Sequence, residues 1–365
     1  MAKNILIVDD SALMRRLLSD IIKKDNRFSV ADVARDGVST LNLIKKEPQK
    51  YDVILLDFFM PDMNGDELIK KLVELKVEAK IILISGVIQK DAMEIIEALE
   101  NGAFDFVTKP NSFLLTKENA FEKKLIQRIE LAVSVLEEDR KRKKFSKTVK
   151  EKASEQPISI KKSKVIKQKG SVRGDKLVAL ACSTGGPKAL HQVIPKLPKN
   201  LDAPMIIVQH MPSGFTNSLA IRLNDMSAIH VKEAENGEVL QKGTVYIAKG
   251  GSQLRVKKEK GQYVLQTTNE PARGGLRPCA DIMYESLMES DFKEIVCVVL
   301  TGMGGDGTAG IKQLNQTNNI YAIAQNEETC TVYGMPRVLI ESGLVDEVVP
   351  LQNVADAIQK QVGVQ

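Results

Sequence analysis

Short apolar runs alternate with amphipathic segments through most of the chain, and nearly every run ends in an acidic, hydroxyl or glycine residue. Strands covered on both faces read as continuous Val/Ile/Leu-rich runs, so this pattern predicts parallel sheets sandwiched between helices. Residues 3–139 carry five such repeats, with strands over 4–8, 28–34, 52–56, 80–85 and 105–108 and helices over 11–24, 37–46, 65–75, 91–101 and 120–140. A second series starts at Lys176, with strands ending near Cys182, Val208, Leu300 and Gln325 and helices over 187–197, 279–289, 308–314 and 334–342. Segments 243–249, 253–257 and 263–267, with Gly250, Gly251 and Gly261 at turns, read as a small antiparallel insertion. The expected class is α/β, two doubly wound parallel-sheet domains, the second Rossmann-like.

The two series are separated by a different composition. From Arg140 to Lys176 the chain has fifteen Lys or Arg against three Asp or Glu, so the net charge of +5 sits there and the remainder is acidic. That stretch lacks apolar periodicity and aromatic residues are scarce in it, as in a solvated tether. A nucleic-acid arm is the competing reading, and neither a helix-turn-helix pattern nor aromatic interleaving supports it. We therefore expect domains over 1–139 and 175–365 joined by a basic flexible linker over 140–174. Four cysteines without a CxxC pair or zinc-like spacing suit a reduced compartment. The opening MAKNILIVDDS is not a signal peptide, and no apolar stretch approaches the ~18 residues of a membrane span, so the expected location is cytoplasmic.

In sheets of this type ligands bind beyond the carboxyl ends of the strands. In the first series those ends carry Asp9 and Asp10, then Asp57, Ser85 and Lys109. Three converging carboxylates repel one another unless a hard cation such as Mg²⁺ sits among them. Lys109 would add a fixed positive charge and Ser85 a donor to a phosphoryl oxygen, the makings of a phosphoacceptor. Each aspartate taken singly is more often a helix cap or turn residue.

In the second series the run KLVALAC breaks into Ser183-Thr184-Gly185-Gly186-Pro187. A glycine-bearing strand-to-helix corner exposes its hydroxyl and aims the following N–H groups outward, making Ser183 a candidate nucleophile. The plain alternative is that Ser183 and Thr184 cap the next helix. Of three histidines, His191 falls on a helix and His230 within a strand, whereas His210 ends a strand on the same edge as Ser183. Asp306 lies on the glycine-rich loop after a further strand. Ser183, His210 and Asp306 would form a nucleophile, base and orienting carboxylate, with the backbone N–H groups of Thr184 and Met303 as candidate oxyanion donors. Gly302-x-Gly304-x-x-Gly307 with Glu327 downstream also matches a dinucleotide fingerprint, which would leave Ser183 and His210 unexplained. Catalysis by Cys182 is disfavoured, because strand alternation turns it toward the core.

MPDMNG at 60–65 and the Lys109-Pro110 step, with the five strand ends, resemble the receiver domain of response regulators. The resemblance implies phosphorylation of Asp57 by a histidine kinase, Mg²⁺ held by Asp9, Asp10, Asp57 and the Phe59 carbonyl, and switch positions at Ser85 and Phe106. Gly86 stands where a small side chain is more usual. Downstream, CSTGGP (182–187), QHMP (209–212), TGMGGDG (301–307) and ETCTVYGMP (328–336) resemble the chemotaxis protein-glutamate methylesterase family over essentially the whole chain. That resemblance implies hydrolysis of γ-glutamyl methyl esters on methyl-accepting chemoreceptors, often with deamidation of receptor glutamines, by Ser183, His210 and Asp306. It implies a chemotaxis histidine kinase as phosphodonor, Mg²⁺ in the receiver, no cofactor for the esterase, and neither nucleic-acid binding nor membrane insertion. Leu276 departs from the family's usual histidine before Arg277. A receiver occluding the catalytic edge until Asp57 is phosphorylated is the expected form of control.

Overall fold

The computed structural model describes residues 2–86, 92–110, 115–152 and 175–365, which form two compact units, Met1–Ser163 and Lys164–Gln365. Asp91, expected to start a helix, and the expected linker beyond residue 152 lie outside the described residues.

In the first unit β1 (Lys3–Val8), α1 (Ala12–Lys23), β2 (Phe28–Ala34), α2 (Gly37–Lys46), β3 (Val53–Asp57), α3 (Gly65–Glu74), β4 (Lys80–Ser85), α4 (Ala92–Asn101), β5 (Asp105–Thr108) and α5 (Leu115–Lys152) alternate as expected. The strands form one parallel sheet in the order β2-β1-β3-β4-β5. Helix starts are fixed by side chains competing for the orphan N–H groups: Ser11 accepts from Met14 N, Asp36 from Ser39 N and Asn64 from Glu67 N. Strand β3 is buried along its whole length, which sets Asp57 at the carboxyl edge beside the residues that follow β1.

Helix α5 runs well past Arg140, into the stretch read as tether. The Lys, Arg and Glu that give this stretch its charge are also good helix formers, with no Gly or Pro before Pro157. Its described part is also anchored: Arg140 Nη1 lies 2.7 Å from Asp52 and Lys143 Nζ 2.9 Å from Glu78.

The second unit contains β6 (Lys176–Cys182), α6 (Gly186–Val193), β7 (Met205–Gln209), α7 (Phe215–Met226), β8 (His230–Glu233), β9 (Thr244–Ile247), β10 (Gln253–Glu259), β11 (Gln262–Thr268), α8 (Ala280–Glu285), β12 (Glu294–Val299), α9 (Thr308–Thr317), β13 (Ile320–Gln325), α10 (Met335–Glu341), β14 (Glu347–Val349) and α11 (Val354–Val362). Seven strands make a parallel sheet in the order β14-β13-β12-β6-β7-β9-β8, and β10 pairs with β11 in an antiparallel hairpin. Segment 243–249 was expected in the antiparallel insertion. It is instead β9, fully buried and parallel to both β7 and β8. Gly243 permits this: its φ is 69°, and a Cβ there would lie 2.4 Å from the Lys199 carbonyl oxygen.

Strand β14 and helix α11 extend the fold past 334–342, the last helix that the sequence pattern predicts. Helix α11 closes the amino edge of the sheet through a buried cluster in which Lys176 Nζ reaches Gln361 O (2.6 Å) and Glu294 (3.1 Å), while Gln361 Nε2 donates to Glu294 (2.7 Å). The core packs the sheet face carrying Ala179, Ile206, Cys297 and Ala322 against Tyr284, Leu287, Ile311 and Leu339.

Candidate active site and phosphoacceptor site

Strands β6 and β7 are neighbours in register, Cys182 opposite Gln209, so Ser183 and His210 leave the sheet side by side. Gly185 is the N-cap of α6, with φ 79°, and no side chain caps that helix. Ser183 is therefore not a cap. The hydrogen bonds of Ser183 run through its backbone, N to Thr301 O (3.0 Å) and O from Gly186 N (2.8 Å) and Gln209 Nε2 (3.0 Å). Among the described residues its hydroxyl has no hydrogen-bond partner, His210 included. The corner is built without spare room: a Cβ on Gly186 would lie 1.9 Å from Gln209 Oε1, and one on Gly302 would lie 2.9 Å from Ser183 Cβ. Thr301 Oγ1 donates to Thr184 O (2.9 Å) and accepts from Val332 N (2.9 Å), tying the corner to the loops after β12 and β13. Gln209, Thr301 and Val332 were not foreseen, because such backbone ties have no sequence signature.

His210 Nε2 lies 2.7 Å from Asp306 Oδ2. Asp306 also accepts from Ala280 N (2.6 Å), Asp281 N (3.0 Å) and Cys279 Sγ (3.1 Å) at the start of α8. Burial alone would raise its carboxyl pKa, but the imidazole and the two backbone N–H groups outweigh it and hold the value at about 2. An ionised Asp306 fixes the proton of His210 on Nε2 and leaves Nδ1 as the basic nitrogen. His191 instead bonds Pro187 O through Nδ1, and exposed His230 faces Asn224. Cys182 is fully buried, donates to Gln209 Oε1 (3.0 Å), and burial pushes its thiol far above its ordinary value, so no thiolate is available there. A dinucleotide phosphate would find no free helix start at Gly302–Gly307, because Asp281 Oδ1 already accepts from Gly307 N (3.0 Å) and Gly310 N (2.7 Å). Thr184 is buried at the corner, and Met303 is exposed at the rim.

In the first unit, carboxylate oxygens of Asp9, Asp10 and Asp57 come within 4.8 Å of one another. Lys109 Nζ lies 2.8 Å from Asp57 Oδ2 and 3.0 Å from Asp9 Oδ2. Burial pushes the Asp57 carboxyl up to about 6; Lys109 opposes the shift, while the charges of Asp9 and Asp10 add to it. Burial also disfavours the charge on Lys109, yet Asp57 and Asp9 hold its pKa above the ordinary value. Among the described residues buried Asp9 Oδ2 has only the Lys109 ammonium beside it. Three carboxylates within 4.8 Å of one another, facing one lysine, fit a hard divalent cation. Arg15, unforeseen from the sequence, braces the loop by donating Nη1 to Asp9 O (2.8 Å) and Asp10 O (2.9 Å). Ser85 is buried at the end of β4, its hydroxyl on Gly86 O (3.3 Å), and Phe106 is buried in β5. Phe59, 39% exposed, packs edge-on against Phe58 beside Asp57.

A five-stranded parallel sheet with an acidic edge and a lysine, together with a seven-stranded sheet carrying a serine corner and a His–Asp pair, define a receiver-bearing hydrolase. Residues 178–358 match the family described as CheB methylesterase, and residues 5–117 match the response regulator receiver domain. A protein-glutamate methylesterase/protein-glutamine glutaminase of Bacillus subtilis (strain 168) is 40% identical over 97% of each chain. Its counterpart from Halalkalibacterium halodurans is 41% identical over 98% of this chain and 97% of its own. The crystal structure of the Thermotoga maritima CheB methylesterase catalytic domain covers 51% of this chain and 98% of its own, at 41% identity and a TM-score of 0.49. The chain belongs to the CheB family of chemotaxis protein-glutamate methylesterase/protein-glutamine glutaminases, with a response-regulator receiver domain ahead of the hydrolase. Among the described residues no helix is long and apolar enough to cross a membrane.

Proposed function

We propose that the second unit hydrolyses γ-glutamyl methyl esters of cytoplasmic chemoreceptor segments through an acyl-enzyme on Ser183. The 2.7 Å contact between His210 Nε2 and Asp306, beside Ser183 on the neighbouring strand end, which is not tied up as a helix cap, carries this reading. Ser183 Oγ attacks the ester carbonyl as its proton passes to His210 Nδ1, and Asp306 stabilises the imidazolium without taking the proton. The tetrahedral oxyanion lies against the N–H groups of Thr184 and Met303. Nδ1–H then protonates the departing methoxide, and water activated by the same nitrogen releases the glutamate. A glutamine side chain gives the same acyl-enzyme with loss of ammonia, so deamidation needs no further residue.

In the receiver, Asp57 Oδ attacks the phosphoryl group supplied by the chemotaxis histidine kinase. Asp9, Asp10, Asp57 and the Phe59 carbonyl would hold Mg²⁺, which offsets the charge of the phosphoryl oxygens. Lys109 and Ser85 contact the aspartyl phosphate, and with Phe106 they report it to the rest of the chain. The receiver restrains the esterase until phosphorylated, so removing residues 1–140 raises basal activity.

Methanol release from a methylated chemoreceptor by the wild type and by S183A is the test. Loss of release in S183A, with stimulation of the wild type by a small phosphodonor and Mg²⁺, is expected. Equal release by both proteins would return Ser183 to a structural role.

A further inference from the structure

We propose that Asp281 is a positioning residue for the hydrolysis, holding the loop that carries Asp306 in register with His210. This role rests on the Ser183–His210–Asp306 reading.

Asp306 sits in a loop that is loose by composition, flanked by Gly304 (φ 82°) and Gly307 (φ 93°). An orienting carboxylate has to be held within about 0.5 Å, so something other than the loop's own backbone must fix it. One half of the restraint is the start of α8, whose Ala280 and Asp281 N–H groups and Cys279 thiol donate to Asp306. The other half runs in the opposite direction. Asp281 Oδ1 accepts from Gly307 N (3.0 Å) and Gly310 N (2.7 Å), the opening turn of α9. Each helix start is thus satisfied by a carboxylate tied to the other, and Asp306 is clamped immediately before the residue that Asp281 grips.

The close approach of the two helices depends on Gly310. A Cβ there would stand 2.8 Å from Asp281 O and 2.9 Å from both Asp281 Cα and Tyr284 Cβ, a collision with backbone that rotamer changes cannot relieve. The arrangement has an electrostatic cost: oxygens of Asp281 and Asp306 lie within 4.8 Å of each other, and burial together with the Asp306 charge raises the Asp281 carboxyl pKa. A neutral amide at 281 would keep the two acceptor bonds and remove the repulsion. Alanine would remove the bonds as well.

The experiment compares wild type, D281A, D281N, G310A and S183A in the full chain, measuring kcat and KM for methanol release from a methylated chemoreceptor and thermal melting of each variant. D281A should lose about ten- to a hundredfold in kcat with KM within about twofold, since misplacement by ~1 Å costs on that scale. D281N should recover to within about fivefold of wild type, because its amide oxygen accepts the same two N–H groups. G310A should show the same kcat-selective loss from the α9 side. Wild-type kcat in a folded D281A, or a D281N as impaired as D281A, would overturn the proposal. Should D281A melt below the assay temperature, wild-type kcat in G310A overturns it instead. Undiminished S183A would reject the triad reading itself, an outcome distinct from failure at Asp281.

Discussion

Asp57 closes β3 of the first unit and Asp306 follows β12 of the second, so both stand at the carboxyl edge of a parallel sheet. Both are largely buried, and burial pushes each toward the neutral acid. Their neighbours decide the outcome. Asp306 collects an imidazole, two backbone N–H groups and a thiol, and its pKa falls to about 2. Asp57 shares one lysine with Asp9, feels the charge of Asp9 and Asp10, and rises to about 6. A carboxylate whose partners are all in place works as a fixed anion. One whose surroundings are short of positive charge has room for a cation, and in our proposal it takes up a phosphoryl group as well.

The largest effects should come from disturbing the fixed anion or the serine that it serves through His210. S183A should lower kcat/KM by about 10⁴ or more and D306N by about 10³–10⁴, the latter because the amide cannot hold His210 in the same tautomer. Methanol release by purified variants checks both, and a D306N within tenfold of wild type would break the contrast at its catalytic end.

The under-compensated site should show in stability. Asp57 has a folded pKa raised above its ordinary value of 3.8, so the folded state binds more protons and stability falls as pH rises from about 4 to 6. Asp306, held low, has the opposite sign: its stabilisation is present above about pH 4 and is lost as pH falls toward 2. D57N should therefore be more stable than wild type at pH 7 by roughly 2–3 kcal/mol without divalent cation, and the gain should vanish near pH 4. Denaturant melts at the two pH values measure it.

Mg²⁺ should erase that difference at neutral pH. At a hundredfold over its dissociation constant it should stabilise the wild type by about 2.7 kcal/mol, with little effect on D57N or D9N. Equal stabilisation of all three would remove the cation from this site. The smallest effect should be that of G302A. A Cβ at this position meets the Met335 thioether at 2.3 Å, which can yield, and Ser183 Cβ at 2.9 Å, which must shift slightly, so we expect a loss in kcat of about tenfold.

The strand ends were legible because buried parallel strands announce themselves as apolar runs that stop at polar residues. Asp9, Asp57, Lys109, Ser183, His210 and Asp306 all stand where that logic puts them. Setting aside Ser183 as a helix cap needed the left-handed Gly185, which takes the cap position itself. The roles of Asp281, Gln209 and Thr301 are carried by bonds to backbone groups far along the chain, and no spacing rule encodes those. Strand β9 went astray because the short run between Gly243 and Gly250 fits a hairpin as well as an interior strand, and only its register with Met205–Ile207 decides. Helix α5 was cut short for a related reason: the composition of a solvated tether is also that of a charged helix, and the Asp52 and Glu78 partners that favour the helix come from elsewhere in the fold.

The most direct test of the opposite tuning of these two aspartates is a carboxyl ¹³C titration of the full chain labelled at aspartate, with D57N and D306N assigning the two signals. We expect the Asp306 signal to stay that of a carboxylate throughout the range above pH 4, and the Asp57 signal to titrate near 6 without Mg²⁺. Two signals titrating together near the ordinary value of 3.8 would contradict the account.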